Sequence, residues 1–278
     1  MILMSKKINN LVIPYFFFSS FILIVHYCVP TFNVEMANWK YYLFCYLEPY
    51  NLPLWFLRSL FIVYVLYYII CIFFKKIEYK ILVSFLFSVM IWYFAPILKN
   101  HMNIYTEWIL FRMNLLSSIF VLPFMSVAEL CRTKGILSIT LSRNVRIIMT
   151  AFCVTLLVIS TPEGFNLYAT KYPDNLLLFY ISSFSGIFAI LFFLSIFKKV
   201  PFFSYIGRYS LIVLGTHSIL IIIFRYLFPG ITPWSLGVFV LGSSPFFIYI
   251  LKKYFPYFTA QMPLFEYKEH KLKFFWDK

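Results

Sequence analysis

Eight apolar runs set the limits on what this chain can fold into: 11–29, 52–74, 81–98, 108–131, 147–160, 176–197, 209–228 and 235–251. About 20 apolar residues, each rising about 1.5 Å in a helix, cross the hydrocarbon core of a bilayer. The fifth run is short and is expected to start near Asn144 or Val145. Among the 278 residues, 62% are hydrophobic and 12% charged, against about 25% charged in a soluble domain. A soluble fold could not hide that much apolar surface. Inside a bilayer every backbone polar group needs an internal partner, which helices supply within one segment. The expectation is an all-α, polytopic membrane helix bundle of about eight transmembrane helices.

The net charge of +14 would suggest nucleic acid in a soluble protein. Its placement gives a different reading. With the N-terminus cytoplasmic, the inside segments hold 18 Lys and Arg residues and the outside segments hold three: Lys40, Lys99 and Lys171. Cytoplasmic segments carry such an excess in membrane proteins. Both termini are therefore expected inside (N-in/C-in), with the cations facing anionic lipid headgroups; nucleic acid is excluded as a partner. The first run follows Lys6 and Lys7 but ends at Val29-Pro30 without a small-residue cleavage site, so it is expected to stay in the membrane rather than act as a signal peptide.

Two segments outside the runs are aromatic. Residues 30–51 carry Trp39, Tyr41, Tyr42, Phe44, Tyr46 and Tyr50, a pattern suited to the headgroup layer. Residues 252–278 mix Lys268, Lys271 and Lys273 with Phe274, Phe275 and Trp276, a basic aromatic tail for the inner membrane surface. The chain thus divides into a membrane domain, 1–251, and a cytoplasmic tail, 252–278. Cys71, Cys131 and Cys153 fall within apolar runs and read as small apolar residues; Cys28 and Cys45 flank the first external loop, and their pairing stays open. No Cys or His spacing suits a metal.

Chemistry in a membrane is marked by ionisable residues that the bilayer makes costly, about 2.5–3.5 kcal/mol each at mid-depth. Arg58 lies about 9 Å along the second helix, and Arg112 and Arg225 sit a turn from the outer ends of theirs. His26, Glu48 and Glu107 border the same outer face. Snorkelling to the headgroups explains such arginines; a polar vestibule that orients an anionic or hydroxylated substrate is the alternative. His217, between Thr216 and Ser218 near the middle of the seventh run, is the best-placed group for proton transfer.

Four strings in order then carry a resemblance. Ile13-Pro14-Tyr15-Phe16-Phe17-Phe18-Ser19 after a basic start, Leu54-Trp55-Phe56-Leu57 with Leu60-Phe61, Leu122-Pro123-Phe124, and Gly207-Arg208-Tyr209-Ser210 followed by His217 resemble the acyltransferase-3 family of integral-membrane O-acyltransferases, closest to the branch that acetylates bacterial surface polysaccharides. The resemblance implies acyl transfer from acyl-coenzyme A, acetyl-coenzyme A foremost, to a hydroxyl of an exported or lipid-linked glycan. It implies a histidine as base, a place that His217 alone in the bundle is positioned to take on this chain, with Trp55, Arg58 and Arg112 expected toward the substrate and no metal. Cytoplasmic Arg132, Lys134, Arg143 and Arg146 are available for the coenzyme's phosphates, although orientation bias accounts for them equally well.

Family members usually have ten helices, with the histidine regarded as catalytic on the first. This chain starts at the segment resembling the third, which leads to the expectation that two helices are missing and activity is impaired. The family's Arg-x-x-Arg is here Lys7-Ile8-Asn9-Asn10. Three readings follow: an O-acyltransferase of the bacterial inner membrane, a transport or polymerisation component for lipid-linked glycan, and a non-catalytic scaffold that pairs with a complete acyltransferase or with its own copies.

Overall fold

A computed structural model describes residues 2–28, 54–101, 115–136, 141–161, 173–197 and 200–265. The described elements are all helices. α1 (Ile2–Lys7) runs through a π turn (Ile8–Val12) into α2 (Ile13–Cys28). α3 (Trp55–Phe73), α4 (Ile77–His101), α5 (Leu115–Ile119), α6 (Leu122–Thr133), α7 (Arg143–Ser160) and α8 (Leu176–Ser195) follow, then α9 (Pro201–Arg208), α10 (Ser210–Leu227) and α11 (Pro233–Tyr254). Seven segments among the described residues are long and apolar enough to cross a membrane, α5 and α6 counting together as one. The first segment adds a 16-residue helix, α2, prolonged by the π turn and α1. Phe73, Val158, Ile159 and Val238 are each more than 70% exposed, which suits lipid and not water. Residues 30–51, Arg112, the Cys45 partner of any Cys28 disulfide, and the tail beyond Phe265 lie outside the described residues.

The chain divides into two compact units, 62–201 and 1–61 with 202–278. In the unit 62–201, Ile91 and Ala95 of α4 pack with Leu116 of α5, Phe120 and, from α8, Leu176, Phe179 and Tyr180. α7 and α8 pack together, Gly186 of α8 facing Leu157 of α7, and α8 also buries Ser182, Ser185 and Ala189. Small side chains let membrane helices approach closely. The first turn of α7 carries Arg143 and Arg146, cations where the helix dipole disfavours them. Arg146 answers by donating to the carbonyl of Ser195 at the end of α8, where negative partial charge gathers.

The unit 1–61 with 202–278 is built on α2, α10 and α11. α10 and α11 join through a short turn in which the Thr232 hydroxyl caps Ser235 N–H and Pro233 takes the first helical position, where a missing N–H costs nothing. The π turn buries Leu11 and α2 buries Tyr15, Phe18, Ser19 and Ile22, the spacing of one helix face. Phe18 meets α10 at Gly215, where a Cβ would land inside the Phe18 ring. Beyond α11 the chain folds back: Phe17 stacks on Phe258 with centroids 5.3 Å apart and packs on Phe255. Asn9, buried in the π turn, accepts from the N–H groups of Leu264 and Phe265 at 3.1 Å each and donates to Phe265 O at 3.0 Å.

Candidate functional site

The unit 62–201 contains a buried ionic cluster. Lys80 of α4 donates to Glu129 of α6 at 2.6 Å. The Tyr67 hydroxyl of α3 donates to the other carboxylate oxygen at 2.5 Å. Lys80, Glu129 and Tyr67 are 4%, 2% and 1% exposed. A carboxylate this deep in a membrane segment persists only when paired and hydrogen-bonded, and here both its oxygens are occupied. Cys71, one turn beyond Tyr67 and half-buried, lies within electrostatic reach of Lys80, Glu129 and Lys75.

The segment 115–133 breaks between α5 and α6, and Pro123 is the cause. Proline has no N–H, so Ile119 O loses its helical donor. The Ser88 hydroxyl of α4, shared with Ser84 O at 3.0 Å, reaches Ile119 O at 3.2 Å. Phe124 N–H tightens onto Val121 O at 3.1 Å, which frees Phe120 O for the Tyr180 hydroxyl of α8, also at 3.1 Å. Irregular backbone at membrane depth is tolerated where protein side chains satisfy it, and Ser88 and Tyr180 do so here. Lys80, Ser84 and Ser88 follow one another at helical spacing on one buried face of α4, opposite Glu129, Ser126 and the break.

The unit 1–61 with 202–278 holds a second polar group. The Arg58 guanidinium of α3 lies against the Tyr15 hydroxyl of α2. Trp55 is one turn before Arg58 and shares its face, its ring edge-on to Phe56. His217 is half-buried in the middle of α10. Its Nδ1 is 3.2 Å from Val213 O. With Nδ1–H donating there, the lone pair is assigned to Nε2, the tautomer a base would need.

The acyltransferase-domain family model matches residues 3–253, from α1 to the last turn of α11. The chain belongs to the acyltransferase-3 family. It is a membrane acyltransferase. No curated protein and no solved structure matches it.

Within the acyltransferase, the residues singled out from sequence fall in separate places. Trp55, Arg58 and His217 lie in the unit 1–61 with 202–278; Arg132, Lys134, Arg143 and Arg146 lie in the unit 62–201; Arg112 lies outside the described residues. Arg132 and Lys134 stand exposed at the end of α6, Arg143 is exposed at the start of α7, and Arg146 is engaged with Ser195. Lys80, counted from sequence among loop cations, is instead helical, buried and paired, because Glu129 faces it. The sequence reading passed over Glu129 altogether, although it is the one acidic residue inside the marked apolar runs. That alone was signal enough to find it. Nothing local marks Tyr67 as its partner.

Proposed function

We propose that this membrane acyltransferase transfers an acyl group, acetyl foremost, from acyl-coenzyme A to a hydroxyl of a cell-surface polysaccharide or its lipid-linked precursor, at the inner membrane of a bacterium. The family match over 3–253 carries the reading, and the order of the four resembling strings supports it. Residue roles follow from chemistry. Nε2 of His217 takes the proton of the attacking hydroxyl as its oxygen bonds to the thioester carbonyl carbon. The carbon–sulfur bond then breaks, and the imidazolium returns the proton to the departing thiolate. Arg58, steadied by Tyr15, and Trp55 bind the acceptor, Arg58 through its planar fork of donors; Arg112 is proposed for substrate contact from its sequence position alone. Arg132, Lys134, Arg143 and Arg146 hold the donor's phosphates.

The test is deletion of the gene in the cells that carry it, with O-acyl content of the surface glycan read by NMR before and after complementation. Loss on deletion and return with the wild-type gene are expected. Glycan that is equally acylated without the protein would contradict the reading and favour a non-catalytic role in glycan export. Complementation with Arg58→Lys should restore acylation only in part, since an ammonium lacks the guanidinium's paired donors.

A further inference from the structure

We propose that Asn9 and the return segment 255–265 lock the rotation of α2, which makes Asn9 a positioning residue for the acceptor site, acting through the π turn on Tyr15 and so on Arg58. The inference rests on the reading of Arg58 as an acceptor-binding residue.

The lock begins with an irregularity in the helix. Ile13 N–H reaches back five residues to Ile8 O, so the π turn holds more residues per turn than the α-helix on either side of it. In a regular α-helix, positions 9 and 17 would lie about 80° apart around the axis. The π turn narrows that angle, and both residues meet one segment. Asn9 bonds the backbone of Leu264 and Phe265 three times. Phe17 packs on the rings of Phe255 and Phe258, with centroids 5.4 and 5.3 Å away. One contact lies within the π turn and the other beyond it, so the extra residue cannot slide along the helix without breaking one of them.

The return segment is built to hold its shape. Pro256 O accepts from the N–H groups of Gln261 and Met262 at 2.9 and 3.1 Å. The buried Thr259 hydroxyl donates to Phe255 O at 2.9 Å, and the Gln261 amide donates to Thr259 O at 3.0 Å. Ala260 turns the chain at φ 58°, a conformation that a residue with a Cβ keeps only where its surroundings impose it. Asn9, 2% exposed, is a residue type that helix interiors disfavour because its amide competes for backbone groups. Here those groups belong to the return segment.

Two residues of α2 carry the effect inward. Phe18 meets α10 at Gly215, where a Cβ has no room, and Tyr15 lies against the Arg58 guanidinium. Moving the extra residue past Tyr15 would turn that side chain by about 100° and take its hydroxyl away from Arg58.

The test uses detergent-permeabilised membranes of cells carrying the full chain. The donor is acetyl-coenzyme A, and the acceptor is the cells' own surface glycan, stripped of acyl groups by mild base. Asn9→Ala should raise the acceptor KM by about 10- to 100-fold, the scale of a misplacement of about 1 Å set up far from the chemistry, and leave the donor KM unchanged. In parallel, p-benzoylphenylalanine in place of Phe258 is photocrosslinked in the purified chain and mapped by peptide mass spectrometry. The label should fall on Phe17 with Asn9 present and spread to other faces of α2 in Asn9→Ala. Phe255→Ala loosens the lock from its other side; it should move both readouts the same way and serves if Asn9→Ala misfolds. Crosslinks that leave Phe17 while the acceptor KM stays at wild type would overturn the proposal, as would a fall in rate that only follows protein abundance. Arg58→Lys in the same membranes separates the two readings. If it raises the acceptor KM and Asn9→Ala does not, the positioning role fails alone. If neither raises it, the acceptor reading fails and this role with it.

Discussion

Removing Glu129 alone should damage this protein more than removing the whole ionic cluster. In Glu129→Leu the Lys80 ammonium, 4% exposed, keeps its burial and loses its partner at 2.6 Å, while the Tyr67 hydroxyl loses its acceptor. At an effective dielectric of about 20, the lost attraction is roughly 6 kcal/mol. Partial compensation by shifting side chains brings the measured cost of breaking such a buried pair to about 3–5 kcal/mol. That is a factor of roughly 100 to a few thousand in the folding equilibrium. In the triple variant Lys80→Met, Glu129→Leu, Tyr67→Phe no polar atom is stranded, and buried clusters replaced by apolar groups of similar volume are often as stable as the original. The assay is thermal unfolding in detergent, followed by the fraction that stays monodisperse on size exclusion. The single variant should unfold well below wild type and the triple variant close to it. A single variant as stable as wild type, or a triple variant as poor as the single, would refute the reasoning.

Three further outcomes follow from the packing and the charge pattern. Gly215→Ala should cost about 1–3 kcal/mol by driving a methyl into the Phe18 ring, and Phe18→Leu in the same chain should recover part of it, both read by thermal unfolding. Ser88→Ala should cost about 1–3 kcal/mol by leaving Ile119 O without a donor, and Pro123→Ala, which restores a backbone N–H at that position, should reduce that penalty in a double-mutant cycle. Single cysteines placed at 38, 103 and 170 should react with an impermeant maleimide on intact cells, and those at 78, 138 and 199 only after lysis; the reverse pattern would invert the topology.

Much of the fold is legible because lipid makes the sequence code coarse. The apolar run 176–197 becomes α8 at Leu176–Ser195, and the short run at 147–160 does start earlier, at Arg143, where Ser142 caps the helix. The site is less legible, since its parts meet only in the folded unit. Glu129 was visible as an acid in an apolar run, but Lys80 looked like a loop cation beside Lys75 and Lys76, and only the antiparallel fit of α4 on α6 joins them. Pro123 announces a helix break, yet the Ser88 and Tyr180 hydroxyls that make the break tolerable lie more than 30 and about 60 residues away. Asn9 reads from sequence as a departure from a basic motif; its bonds run to Leu264 and Phe265, 255 and 256 residues on, a separation no local pattern reports. Arg146, grouped from sequence with the cations proposed for the donor's phosphates, also donates to Ser195 O at the end of α8, a contact that no local pattern reports.

The most direct test of the central claim, that this chain catalyses acyl transfer with His217 as base, is glycan O-acylation in cells carrying His217→Ala in place of the wild-type protein, at matched membrane abundance. Loss of a general base predicts a fall of about 10²–10⁴-fold in the rate at which labelled acetyl groups enter the surface glycan. An undiminished rate would contradict the account.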